Sequence, residues 1–415
     1  TITGGTIELK GAGTGINAKG NVTLKDIAIT LSDGATGTGI VYAGGDTEAE
    51  AEISTRDIDI KAAGKGIEAT MSKVAKSTLN ITTGIISTVE GATGIKITGT
   101  ELEELSDGET PTTATVTTTL GKTKGTGVEV TGKANNIINV TLQDTQTPTS
   151  KTPISIAKGI DVTSNGEGGI INIDVKQSNL QVTGTGNLVN IGAVGGTTNV
   201  DINQNVELVG TGNLVNVGAI TGTTNVNINK DIKVATEGTG NIVKAGAITG
   251  TLNINLNVGD KNTTSKSLNV AEGNTALNLA NVSDGTTFVK NTGNVTIEGN
   301  GTLVKGNDTN TISLSNQGLI NVSTVDTSNK EKSSHISSGE KVNVANYGTI
   351  DLSSSGITVE EFIENAGETA KEKTALDQLT IDEVKTALKT LGVINTGAEG
   401  TFSSVGYIRF KNGEL

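Results

Sequence analysis

"LVGTGNLVNVGAITGTTNVNINKDIKV", residues 208–234, decides the fold. A near copy, "QVTGTGNLVNIGAVGGTTNVDINQNVEL", occupies 181–208, and another follows at 234–258. Self-similarity at a fixed period is an architectural signal, because each repeat is one supersecondary unit that buries its apolar face only by stacking on its neighbours. Around the quoted copy, "VELV", "NLVNVG" and "TNVNIN" alternate aliphatic with polar residues, the period of a half-buried strand. Three short strands joined by Gly-rich corners make one turn of a parallel β-helix, each strand pairing with its counterparts one turn away.

The same punctuation runs through most of the chain. Gly-x-Gly before an aliphatic residue occurs at Gly13, Gly37, Gly64 and Gly125, with looser copies ending at Ile95 and Ile160 and "GTGN" copies at Gly184, Gly210 and Gly238. Their spacing runs from 24 to 33 residues, and the leucine-rich pattern L-x-x-L-x-L is missing. The fold class expected is all-β: a parallel β-helix with three strands per turn, plus a small α-helical insertion near the C-terminus. Corner glycines are expected to supply positive φ. Inner columns are expected at Leu188, Leu214 and Ile242, at Val200, Val226 and Ile254, and at Ile202, Ile228 and Leu256. An amide ladder is expected at Asn187, Asn213 and Asn241.

Composition fits a thin aliphatic core. Aromatics are 2% of 415 residues and Trp is absent, whereas a compact globular core of this length would use many rings. Disorder does not explain regular β-branched alternation. The net charge of −13, with arginine only at 56 and 409, argues against a nucleic-acid partner. With no cysteine, disulfides, thiol nucleophiles and cysteine–zinc sites are all excluded. No apolar run reaches membrane-spanning length and "TITGGTIELK" is no signal peptide, so the chain reads as a fragment of a larger protein.

Later copies, "GNGTLVKG", "NQGLINVS" and "NYGTIDLS", carry the β-helix to residue 355, the last two from Asn-x-Gly corners at Asn316 and Asn346. Four stretches break the spacing and read as loops: 101–113, 142–153, 259–268 and 324–340. Two of them hold all three prolines, Pro111, Pro148 and Pro153. The expected organisation is a β-helical rod over 1–355, a helical insertion or cap over 356–392, and resumed strands over 393–415. In the insertion, Thr358 with Glu361 and Thr380 with Glu383 form capping boxes. Val359, Phe362 and Ile363 share one helix face and Ile381, Val384, Leu388 and Leu391 another, and Gly392 ends the second helix. Phe402, Tyr407 and Phe410 suggest a bulkier core where the strands resume.

Candidate chemistry is sparse. His335, the only histidine, reads as a solvated side chain in "NKEKSSHISSGE", with no second histidine or cysteine for a metal cluster and no Gly-x-Ser-x-Gly elbow. Acidic runs lack calcium-loop spacing. "GAGTGINAKG" resembles a phosphate loop, but the pattern recurs along the chain and opens no helix. Asp57 and Asp59 are the close acid pair a β-helical polysaccharide lyase or hydrolase would need, yet alternating charges on an outer strand face usually only solvate it. No catalytic, cofactor-binding or metal-binding residue is assigned, no cofactor is expected, and the ligand-binding residues are left open.

The Gly-x-Gly-Ile corners, the Asn-x-Gly turns at Asn316 and Asn346, and the cysteine-free Thr/Asn/Lys-rich composition resemble type V autotransporter passenger domains. The low Arg usage resembles the large fusobacterial adhesins in particular. This resemblance covers nearly the whole chain and rests on composition and rung pattern. It implies a right-handed parallel β-helix, outer-membrane display through a barrel outside this sequence, and adhesion to a host receptor or glycan or to partner bacteria. The expected protein is a monomeric, non-enzymatic cell-surface adhesin. The alternatives are a passive stalk spacing a distal tip, a β-helical polysaccharide-degrading enzyme, and a phage tailspike.

Overall fold

The computed structural model describes residues 1–102, 105, 108–144, 153–235, 238–259, 266–395 and 400–415. It is an all-β parallel solenoid with two α-helices near the C-terminus. The chain divides into two compact units, residues 1–225 and 226–415.

In residues 1–225 every turn presents three faces. Strands Thr14–Lys19, Thr38–Ala43, Lys65–Thr70 and Thr93–Thr98 stack in parallel on one face. The other two faces are supplied by single long strands, Val22–Leu31, Glu50–Ile60 and Thr78–Thr88, which turn the corner without breaking, with register shifts where the first pairs with the second and the third with Thr112–Thr131. Thr112–Thr131 runs along all three faces as one strand. The three separate strands per turn expected from the repeat occur in its own neighbourhood, as Val206–Leu208, Val215–Val217 and Thr223–Ile228. Elsewhere bulges carry pairing through the corner, increasing local twist without interrupting the ladder.

Register explains the core. On the first face, Ile16, Ile40, Ile67, Ile95, Val128, Ile160, Val189 and Val215 follow one another in successive parallel pairs. From Ile40 onward every member is at most 1% exposed. Every residue of the three expected inner columns is 0% exposed. Each such side chain contributes up to about 1.5–3 kcal/mol of burial. One apparent equivalence fails: Ile160 pairs with Val189, so Gly159 lies against Leu188, not against Gly186. The "GTGI" and "GTGN" marks are therefore different corners, and near-regular glycine spacing concealed a two-residue slip.

Corner glycines such as Gly34, Gly91 and Gly184, the last opening a mark, take positive φ as expected, but the second glycine of the marks serves another purpose. In each "GTGI" or "GKGI" mark it has ordinary φ. What these positions require is space. A Cβ on Gly66 would lie 2.5 Å from the Gly94 carbonyl oxygen and 2.5 Å from Ile58 Cγ2. Neighbouring turns there meet backbone to backbone over an inward isoleucine.

In residues 226–415 the faces are built from separate strands. One carries Thr251–Leu256, Thr286–Asn291, Ile312–Asn316, Val342–Asn346 and Phe402–Ser404. A second carries Leu268–Val270, Asn294–Ile297, Leu319–Val322, Thr349–Asp351 and Tyr407–Phe410. A third carries Val243–Ala245, Thr275–Asn278, Thr302–Lys305, His335–Ser338 and Ile394–Asn395. Gly413–Glu414 folds back antiparallel on Tyr407–Phe410.

Amide ladders reinforce both units. Asn213 Nδ2 donates to Asn187 Oδ1 at 3.0 Å as expected, and Asn241 Nδ2 donates to the Thr275 carbonyl. A longer outer ladder runs from Asn225 through Asn199 and Asn172 to Asn139. The second unit has a buried one: Asn291 donates to Asn316, Asn316 to Asn346, and Asn346 to Ser404. Beside it Gly293, Gly318, Gly348 and Gly406 stack at the Asn-x-Gly corner, with Ser404 taking the Asn place in the last turn. Gln177, fully buried, acts as a short strand: its amide accepts from Leu120 N and donates to Leu120 O.

Candidate functional site

The regions that depart from the solenoid are the candidate binding surfaces. Helix α1 is Val359–Glu364 and helix α2 is Ile381–Thr390. Both capping boxes form, Thr358 with Glu361 and Thr380 with Glu383, and Gly392 leaves α2 at φ 76°. Phe362 is 0% exposed and stacks edge-on against Phe410 at 4.8 Å. Val384, Ala387, Leu388 and Leu391 are buried too. Ile381, assigned from the sequence to that apolar face, is 43% exposed, because the first turn points its side chain to solvent and Ala387 fills the contact instead.

Polar bonds fix the insertion to the last strands. Val359 N donates to Asn412 Oδ1 and Asn412 Nδ2 to Glu360, while Lys385 Nζ donates to the Gly400 carbonyl at 2.6 Å. Glu383, with only 10% of its side chain exposed, accepts from Lys373, Thr380 N and Thr369. Chiefly through the Lys373 bond, its carboxyl is held down at about 2. Outward, the insertion presents Glu360, Glu361, Glu364, Glu368, Glu372 and Asp382, all exposed. A cleft of about 690 Å³ opens between α1 and residues 371–374, with Glu360 and Glu364 facing Lys371 and Lys373. The insertion is thus a docked, acidic surface.

Among the expected loops, 324–340 is shorter than its sequence suggested. Lys330–Lys332 forms a 3-10 turn, and the chain re-enters the solenoid at strand His335–Ser338. Asp326 Oδ1 accepts from Ser328 and Asn329, and buried Ser334 Oγ donates to the Ile297 and Gly299 carbonyls. His335 is not a solvated loop residue: it is half-buried, and its Nδ1 lies 2.6 Å from the Gly392 carbonyl oxygen. It pins the chain returning from α2. Pro111 and Pro153 stand immediately before strands Thr112–Thr131 and Ile154–Asn165. Pro148, with 145–152, 260–265 and residues 103, 104, 106 and 107 of the other loops, lies outside the described residues.

The acid pair weighed for catalysis and the two arginines all have partners. Asp57 Oδ1 accepts from Ile85 N at 2.8 Å, and Asp59 pairs with Lys61. Arg56 pairs with Asp26, and Arg409 with Asp351 and Glu414. Among the described residues no three His, Asp or Glu side chains are placed to hold a metal ion, and no helix is long and apolar enough to cross a membrane. At the C-terminus Phe402 and Phe410 enter the core as expected, but Tyr407 is 58% exposed, since its strand position points outward.

The fold defines the class: a parallel β-solenoid repeat protein carrying a docked helical insertion. No protein-family model, curated protein or solved structure matches the chain.

Proposed function

We propose that the chain is the extracellular binding region of a non-enzymatic cell-surface adhesin of the autotransporter-passenger kind, displayed from a bacterial outer membrane. The observation that carries this reading is the ordered acidic insertion between two strands of an otherwise repetitive solenoid. Repetition supplies a stiff support through cooperative stacking of turns. The insertion adds a shaped, acidic surface that interrupts the repeat. Recognition sites commonly sit on such departures from a rigid scaffold.

A passive stalk is the second reading, favoured by the near-identical turns over 184–257. The test is adherence of beads bearing the 415-residue chain to epithelial and immune cells, beside beads bearing a version without 358–391. Adherence lost with the insertion supports the proposal. Adherence retained moves recognition to the solenoid surface. No adherence by either refutes the adhesive reading and leaves the stalk.

A further inference from the structure

In a chain with seven aromatic rings, the exposed ones stand out. Tyr42, Phe362, Phe402 and Phe410 are buried, whereas Phe288, Tyr347 and Tyr407 are 48%, 59% and 58% exposed. Two of the exposed rings border one groove of about 340 Å³ on the outer face of the sheet in residues 226–415. Parallel register sets its floor: outward Phe288 is followed on successive turns by Ser313 and Asn343, and outward Lys290 by Ser315 and Ala345. Short side chains in the middle, with Phe288 at one end and Tyr347 at the other, make the surface concave. Two turns of stacking and four residues of lateral offset place the rings on the order of 15 Å apart.

The polar groups are unspent. Lys290, Ser313 and Ser315 have no hydrogen-bond or ion-pair partner among the described residues, and Asn343 uses its Oδ1 on Thr401 N while its Nδ2 has none. The chain carries 44 acidic residues against 31 basic, yet no carboxylate lines this groove. A lone ammonium with no carboxylate beside it favours a negatively charged ligand group. Flat rings flanking hydroxyl and amide donors suit a molecule with apolar faces and polar edges.

From this we infer that the groove binds a short acidic oligosaccharide. Sugar rings stack on Phe288 and Tyr347, hydroxyls bond to Ser313, Ser315 and Asn343, and a sugar carboxylate meets Lys290. The inference rests on the adhesive reading for its biological use and adds to the acidic insertion a second binding surface, on the solenoid itself.

The test is calorimetry or ligand-observed NMR on the 415-residue chain with 3′-sialyllactose and tetragalacturonic acid, and lactose as neutral control. The expected result is that at least one acidic probe binds about ten-fold tighter than lactose, its identity separating a sialylated source from a uronic one. F288S and Y347S should each weaken binding about ten-fold, as loss of a stacking ring does. K290Q should weaken it about five-fold and flatten its salt dependence. All three side chains point outward, so unchanged circular dichroism should accompany these losses. Neither acidic probe exceeding lactose, or binding indifferent to all three substitutions, overturns the inference. If sugar binding fails while the beads still adhere to cells, the groove reading alone falls.

Discussion

Replacing Asn316 by Leu tests whether the buried amide ladder holds the turns of residues 226–415 together. Asn291, Asn316 and Asn346 are at most 1% exposed, and Leu has the same branching as Asn with a larger volume, so no cavity follows. The change removes the donors to Asn346 Oδ1 at 2.8 Å and to the Thr349 carbonyl at 3.1 Å, while Asn291 Nδ2 keeps the Leu319 carbonyl. Asn346 Oδ1 is left unmet at about 1–3 kcal/mol, the Thr349 carbonyl loses a second bond beside its strand pairing at about 1 kcal/mol, and the larger leucine crowds the site by about 1–3 kcal/mol. Burial of the leucine returns roughly 1.5–3 kcal/mol. A net loss of about 2 kcal/mol remains. Solenoids open locally, so a global transition would blur this, and amide hydrogen exchange at Tyr347, Gly348 and Thr349 is the better assay. It should quicken about thirty-fold, the equivalent of 2 kcal/mol. Asn199→Leu is the control: it breaks bonds to Asn172 and Asn225 of the same geometry, but on a half-buried outer ladder that water reaches. Its effect should stay within about 0.5 kcal/mol. Equal effects at the two sites, or less than about three-fold at Asn316, would refute the argument that burial gives the ladder its weight.

Three further outcomes follow from the same contacts. Gly66→Ala should destabilise residues 38–98 by more than about 2 kcal/mol, because backbone cannot yield to the new methyl, whereas Gly11→Ala, facing open space, should be neutral in urea melts followed by circular dichroism. Glu383 has a folded pKa of about 2 against an ordinary 4.5, so its contribution is complete above 4.5 and lost as pH falls from there toward 2; proteolysis of 358–391 should accelerate over that window, and Glu383→Gln should be cleaved quickly and with little pH dependence throughout. Phe362→Ala should loosen the insertion by about 3–5 kcal/mol, read as loss of exchange protection in α1 with the solenoid strands unchanged.

Much of the solenoid was legible because its physics is periodic. The "NLVNVG" and "TNVNIN" alternation marks strands directly, and T-x-x-E before an apolar run marks both helix starts. The corners were less so. Glycine spacing reports where the backbone is crowded, and crowding arises at more than one corner, so Gly159 and Gly186 look equivalent while Ile160 pairs with Val189. Asn316 and Asn346 were visible as turns, but only parallel register shows that their side chains bond to each other. Gln177 carries no sequence signal for its bonds to Leu120, 57 residues away. The groove between Phe288 and Tyr347 depends on which strand positions point outward on three turns at once. Single exposed rings in the sequence cannot display that.

The turn that hosts the helices is longer than the others yet keeps its place. Asn316 and Asn346 are 30 residues apart and Asn346 and Ser404 are 58, but each pair stands one rung apart in the same ladder. Extra chain leaves after Asp351 and is returned at Ile394, with His335 fastening the return to the strand before. Length at that corner is therefore uncoupled from register. Such a corner is a socket that holds extra chain without disturbing the strands' register, provided the segment it holds still covers Phe410, as Phe362 does.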